Sequence, residues 1–169
     1  MRLTYLDEGG VSAHEPVIVV AGVIIDADNQ LIAIEECINT LIDEHIPEED
    51  RAEFVFHAKE LWSGSGYFKD RGRWPLEQRL AILDSLTAIP VLFGLPVAHG
   101  SLNKNTWLSP PIVQQLNNKQ KDSFLHSAAY GRCCQVVEGY MRYIDSGEVT
   151  VLIAEDRDNV RNTVKALHR

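Results

Sequence analysis

A chain of 169 residues, 45% hydrophobic and 24% charged, has the apolar content of a globular protein, which excludes intrinsic disorder as its default state. Chains of this length bury about 70% of the surface their unfolded form exposes, so one domain can form without disulfides or a structural metal. The net charge of −8 argues against tight, non-specific binding to a polyanion. It leaves room for a carboxylate metal site, because a bound cation reverses the local field.

The expected elements follow in chain order. Residues 2–7 alternate as a strand does and break at Glu8-Gly9-Gly10. Residues 17–25 form a β-branched run, expected to be a strand covered on both faces and paired with the first as an antiparallel hairpin. Asp28 or Asn29 can cap the next helix, whose Leu31, Ile34, Ile38, Leu41 and Ile42 share a face, and Pro47 stops it. Phe54 to His57 reads as a short strand or an extended connection, and residues 63–73, with three glycines and several charges, as a surface loop. Pro75 opens a helix running to about Ala88. Val91 to Leu102 reads as a strand, residues 103–118 as an exposed loop, and Lys119 to Asp145 as a long helix. A buried strand over 149–154 and a last helix capped by Asp158, with Val160, Val164 and Leu167 on one face, close the series. This order predicts a mixed-sheet α/β sandwich with helices on both faces.

Three cysteines, Cys37, Cys133 and Cys134, have no metal-ligand spacing, and Cys133-Cys134 reads as two small residues buried on a helix. Met1-Arg2 leads directly into a strand-like run with no leader pattern, and no segment reaches the ~20 apolar residues of a membrane span. The expectation is a cytoplasmic protein with no membrane partner.

Asp7 closes the first strand with Glu8 beside it, and Asp156, preceded by Glu155, follows the last strand. If the two strands are parallel neighbours, these acids meet at the carboxyl edge of the sheet, where α/β proteins bind ligands. Carboxylates brought together need a cation, a shared proton or distance, and oxygen-rich sites suit Mg²⁺ or Mn²⁺. Each motif also has a plain structural reading, Asp-Glu-Gly-Gly as a turn and Glu155 to Asp158 as a helix cap. In Phe56-His57-Ala58-Lys59-Glu60-Leu61-Trp62, a helical turn puts His57 and Glu60 on one face as metal ligand and base, or as two ligands, with Glu53 a weaker candidate. A histidine among aromatic residues is otherwise a packing or surface group. His99-Gly100-Ser101 ends a strand where Gly100 would admit a ligand, and Lys104 and Asn105 could touch a phosphate. No phosphate-cradling P-loop, dinucleotide Gly-x-Gly-x-x-Gly or Gly-x-Ser-x-Gly elbow is present, which lowers the case for NTPases, dehydrogenases and serine hydrolases.

Three stretches together resemble the family called domain of unknown function 3800: Leu3 to Gly10 its first-strand signature, Phe56 to Trp62 its central motif, and Val151 to Asp156 its late strand ending in an acid. The resemblance implies a ribonuclease H-like fold and metal-dependent nuclease chemistry. It carries over to Asp7 and Glu8, His57 and Glu60, and Asp156, with Asp7, Glu8, Glu60 and Asp156 as metal ligands and His57 orienting substrate or water. Alternation puts Asp7 and Glu8 on opposite faces, so Asp7 is taken as the bridging ligand and Glu8 as secondary. Gly9 departs from the serine usual in the family, and the chain stops at Arg169 inside an expected helix, before the family's last strand and helix.

Three functional readings stand on these residues. The first is a Mg²⁺- or Mn²⁺-dependent phosphodiesterase or nuclease. The second is an inactive binding or regulatory module, favoured by the missing last element and the acidity. The third is a mononuclear-metal hydrolase built on His57, with His99 as a further ligand. The long helix 119–145, left with an apolar stripe, suggests a homodimer or a protein partner.

Overall fold

The computed structural model describes residues 1–145 and 147–154. In chain order the elements are β1 (Arg2–Gly9), β2 (Val17–Asp26), α1 (Leu31–His45), α2 (Ala58–Ser63), α3 (Leu76–Leu92), β3 (Val97–Asn103), α4 (Lys104–Leu108), α5 (Pro111–Gln114), α6 (Asn118–Ile144) and β4 (Thr150–Ala154). Short 3₁₀ turns occupy Glu48–Glu53 and Gly66–Lys69. The fold is α/β, as its pattern of elements predicts. The chain divides into two compact units, one formed by the sequence up to Ala27 and from Pro96 onward, the other by Asp28–Leu95.

The first unit is a four-stranded mixed sheet in the order β3-β2-β1-β4. β1 pairs antiparallel with β2, and β2 with β3, while β4 runs parallel to β1. Alternation decides the faces. Thr4 and Leu6 of β1, Ile18, Val20 and Ile24 of β2, and Ala98 and Leu102 of β3 are buried. α6 supplies the complementary stripe, Leu125, Ala129, Cys133, Val137 and Met141, at helical spacing. A capping box starts that helix: Gln120 N–H donates to Asn117 Oδ1, and Asn117 N–H to Gln120 Oε1, both at 3.0 Å. Of the broader apolar face expected on this helix, Val137 and Met141 are buried against the sheet, Phe124, Ala128, Tyr140 and Ile144 pack on its margin, and Val136 is exposed. Tyr5, Val97, Val151 and Ile153 lie on the other sheet face and are exposed, so the strand expected to be buried over 149–154 is half open.

α6 approaches β3 closely. A Cβ at Gly100 would lie 2.1 Å from Ala129 O and 2.7 Å from Cys133 N, so only glycine lets the helix backbone settle there. The close approach read from Gly100 is therefore that of α6 rather than of a ligand.

The second unit is built on α1, α2 and α3. Leu61, Phe68, Trp74, Ile82 and Ile46 form its buried core, rimmed by Phe54, Phe56 and Tyr67. Residues 63–73, expected as a surface loop, instead deliver Phe68 to the centre through the 3₁₀ turn. Phe54 to His57 is an extended connection without strand pairing. α1 starts after Gln30 with no side-chain cap, in place of the expected Asp28 or Asn29 cap. α3 runs through Pro90 to Leu92, so the strand expected from Val91 begins only at Val97. Gly94, at φ +61°, ends the helix in a conformation glycine adopts without strain.

Arg79 holds this unit together. It is buried, and its guanidinium donates to the carbonyls of Trp74 (3.1 Å), Trp62 (3.1 Å) and Leu61. The Leu61 and Trp62 carbonyls belong to the last turn of α2, where no intrahelical donor remains.

Candidate functional site

The parallel pairing of β1 with β4 runs from Arg2↔Thr150 to Leu6↔Ala154. The carboxyl ends of the two strands are therefore side by side. Asp7 and Glu8 follow directly on Leu6. Glu155 and Asp156 follow directly on Ala154 and, like Asp158 and the expected last helix, lie outside the described residues.

Because β1 continues to Gly9, Asp7 and Glu8 face opposite ways. Asp7 is exposed, and its Oδ1 accepts the Glu8 N–H at 2.8 Å. It stands in a cross-strand row with Ala21 and His99 on the face away from α6. Two strand spacings separate Asp7 from His99, about 10 Å, too far to share one ion.

Glu8 faces α6. Its side chain is only 9% exposed, and its Oε2 lies 3.9 Å from Nε2 of His126, itself 13% exposed. That gap exceeds a hydrogen bond. The imidazole stacks on Tyr130, one turn further along α6, with ring centroids 6.4 Å apart and planes 18° apart. Sequence reasoning passed over His126. Its signal was available: positions 126, 130, 133 and 137 keep helical spacing, which puts a histidine on the core-facing stripe of an otherwise apolar helix.

Carboxylate and imidazole donors bind divalent ions at about 2.0–2.2 Å, so two adjacent donors on one ion stand roughly 3.0–3.5 Å apart, closer than Glu8 and His126 stand here. Among the described residues no three His, Cys, Asp or Glu side chains converge, so a complete coordination shell would need donors from outside them.

His57 and Glu60 belong to the second unit. His57 is the residue before α2, and Glu60 lies in its first turn. Both line a cavity of about 340 Å³ with Asp50, Glu53, Phe54 and Tyr67. The carboxylates there are engaged. Glu60 Oε2 accepts the Tyr67 N–H at 3.1 Å, and Asp50 Oδ2 accepts the Tyr67 hydroxyl at 2.6 Å. Gly66, at φ +52°, gives way to Glu60: a Cβ there would lie 2.2 Å from the carboxylate. Burial, and then the bond to Asp50, push the Tyr67 phenol up to about 12.

A second open cavity, about 350 Å³, lies beside β3 in the first unit, lined by His99, Gly100, Ser101, Arg132 and Gln135. Arg132 donates to Ser101 O at 3.3 Å and lies over the Trp107 ring at 5.5 Å. Lys104, considered as a phosphate contact, is buried and donates through Nζ to Ser12 O at 2.5 Å, which makes it a tether of the β1–β2 connection. Cys133 is fully buried, and burial pushes its thiol up to about 11, the behaviour of an inert core residue.

Among the described residues no helix is long and apolar enough to cross a membrane. Comparison with known proteins finds no matching family model, no matching curated protein and no matching solved structure.

Proposed function

We propose that this chain is a divalent-metal-dependent phosphodiesterase acting on nucleic acid, of the ribonuclease H-like kind, with carboxylates at the ends of β1 and β4 holding the metal. The observation that carries the reading is the parallel pairing of these strands up to Leu6↔Ala154. It brings Asp7-Glu8 and the end of β4 at Ala154, which Glu155-Asp156 follow in sequence, to one end of the sheet, the end where open α/β sheets bind their ligands.

Glu8 and Asp156 are the ligands proposed, and Asp7, on the opposite face of β1, stands outside this centre. Only one of the two β1 acids can share a centre with groups on α6, and Glu8 is the one facing that helix. When bound, Mg²⁺ or Mn²⁺ would supply a polarised phosphoryl oxygen and an activated water. The chain's own contribution is positional. β1 fixes Glu8 on hydrogen-bonded backbone, and the packing of α6 excludes water from the Glu8 side. His57 and Glu60 are assigned no step in this scheme, which rests on the sheet-bearing unit alone.

The test is cleavage of labelled single- and double-stranded DNA and RNA with Mg²⁺ or Mn²⁺. Cleavage is expected to stop with chelator. It should fall on the order of 100-fold or more in Glu8→Gln and Asp156→Asn, since even outer-shell partners of metal ligands cost 10–100-fold. Metal binding without cleavage of any substrate would favour the inactive binding module. Cleavage that survives both substitutions would remove the proposed centre.

A further inference from the structure

We infer that the free edge of β3, with the flank of α6 beside it, is a docking groove for an extended peptide of a protein partner, one that carries an Asp or Glu at its centre. None of the residues proposed to hold the metal takes part.

β3 is an outer strand of the sheet, with β2 as its neighbour. Two bonds bracket their ladder: Ile24 N–H donates to Pro96 O and Lys104 N–H to Pro16 O, both at 2.9 Å. Bonded and non-bonded pairs alternate in an antiparallel ladder. In this register the groups bonded to β2 are therefore those of Ala98, Gly100 and Leu102, opposite Gly22, Val20 and Ile18. The N–H and C=O of Val97, His99 and Ser101 point outward along the edge. Among the described residues one group meets them, the Arg132 guanidinium, which donates to Ser101 O at 3.3 Å. Sheet edges are commonly blunted by proline, lysine or a bulge. Val97–Asn103 has none of these.

α6 turns that edge into a groove. The cavity of about 350 Å³ lies between His99, Gly100 and Ser101 on one side and the exposed Arg132, Gln135 and Val136 on the other. A peptide strand added antiparallel to β3 bonds to His99 and Ser101 through its main chain, and alternate side chains then set its specificity. Its residue opposite Gly100 points to the α6 side, as Gly100 does, and meets Arg132 there. Among the described residues Arg132 touches Ser101 O and the Trp107 ring, neither of which carries a negative charge. An Asp or Glu on the peptide supplies that charge. Val136, 48% exposed, gives the peptide an apolar neighbour.

Two other occupants fit less well. Pairing β3 with β3 of a second copy would bring together two α6 helices, each seated over its own β3 at Gly100. They would stand about one strand spacing apart, roughly 5 Å, whereas packed helices need about 8–10 Å. A nucleic acid would set its phosphates against the outward carbonyls of Val97 and His99, on a chain of net charge −8.

The experiment selects binders to the full chain from a displayed library of random linear peptides, then follows amide hydrogen exchange with the tightest synthetic peptide bound. The selected peptides should alternate apolar and polar residues around one Asp or Glu. Exchange of the His99 and Ser101 N–H groups should slow about tenfold or more, while Gly100 N–H, already in the β2 ladder, stays unchanged. Affinity should fall about tenfold or more in Arg132→Glu, and likewise in His99→Pro, which removes an outward donor and spares the ladder. If His99→Pro loses its cooperative melting, a peptide N-methylated at its edge-facing amides replaces it and should not bind. Enrichment of no peptide overturns the groove, as does binding that leaves His99 and Ser101 exchange unchanged or is equally tight to Arg132→Glu. Slowed exchange of these amides in the free chain at rising concentration, with a dimeric mass, assigns the edge to a second copy and overturns the peptide. The same slowing by a single-stranded DNA or RNA oligonucleotide, with no peptide enriched, assigns it to nucleic acid and overturns it equally.

Discussion

At the scale of single residues, Tyr67 and Arg79 show how the second unit uses polar groups inside an aromatic cluster. Burial and the carboxylate of Asp50 both disfavour ionisation of Tyr67, raising it from 10.0 to about 12. The folded state thus holds this proton more tightly than the unfolded chain. Its contribution is complete below pH 10 and is lost as pH rises from about 10 through 12. Alkaline melts should therefore fall more steeply over that interval in the wild type than in Tyr67→Phe. At pH 7 the variant should be less stable by about 1 kcal/mol, a charge-assisted bond discounted for the exposure of Asp50. Equal slopes for the two proteins would contradict this. Arg79→Ala should be harsher. It strands the carbonyls of Leu61, Trp62 and Trp74, and a denaturant titration should read a loss of about 3 kcal/mol or more. Neither role could be read from the sequence. An arginine in an amphipathic helix looks like a solvated side chain until the end of α2 is seen to turn its last carbonyls toward it.

Elements were legible where periodicity was long and uninterrupted. β1, β2, α1 and α6 fall close to the runs that alternation and helical spacing mark out. The misses share a cause. The apolar run from Val91 suits either strand or helix, and packing of α3 against α1 and α2 carried the helix past Pro90 to Leu92. Residues 63–73 look polar because their charges outnumber Phe68, yet that one ring, T-shaped against Trp74 at 5.2 Å and 76°, fixes the whole segment. Gly100 carried a correct signal with the wrong beneficiary. A glycine inside a strand marks a close approach, but nothing local says whether a ligand or a helix makes it. Gly100→Ala should force α6 off β3 and cost about 1–3 kcal/mol by thermal melting, the range for overpacking a tight seam. A melting temperature equal to the wild type's would show that the seam is looser than described.

At the scale of the whole molecule, the sequence reads as one series of elements, whereas the chain leaves the sheet at Ala27, builds a separate helical unit and returns at Pro96. Propensity and spacing carry no mark of such nesting, because it depends on β2 finding β3 across about 70 intervening residues rather than on local pattern. The candidate site was half legible for the same reason. The acids at the ends of β1 and β4 stand out in the sequence, and the condition placed on them, that their strands be parallel neighbours, is met by the sheet. Which of Asp7 and Glu8 turns toward α6, and that a histidine waits there, needed the sheet–helix packing.

The most direct test of a metal centre at this end of the sheet is thermal unfolding with and without Mn²⁺, for the wild type, Glu8→Gln and Asp7→Asn side by side. At a Mn²⁺ concentration 100-fold above its dissociation constant, binding adds about 2.7 kcal/mol, which for a chain of this size is roughly 5–10 °C. The account predicts that rise in the wild type, its loss in Glu8→Gln and its survival in Asp7→Asn, whose side chain faces the other way. No rise in the wild type, or a rise of equal size in Glu8→Gln, would contradict it.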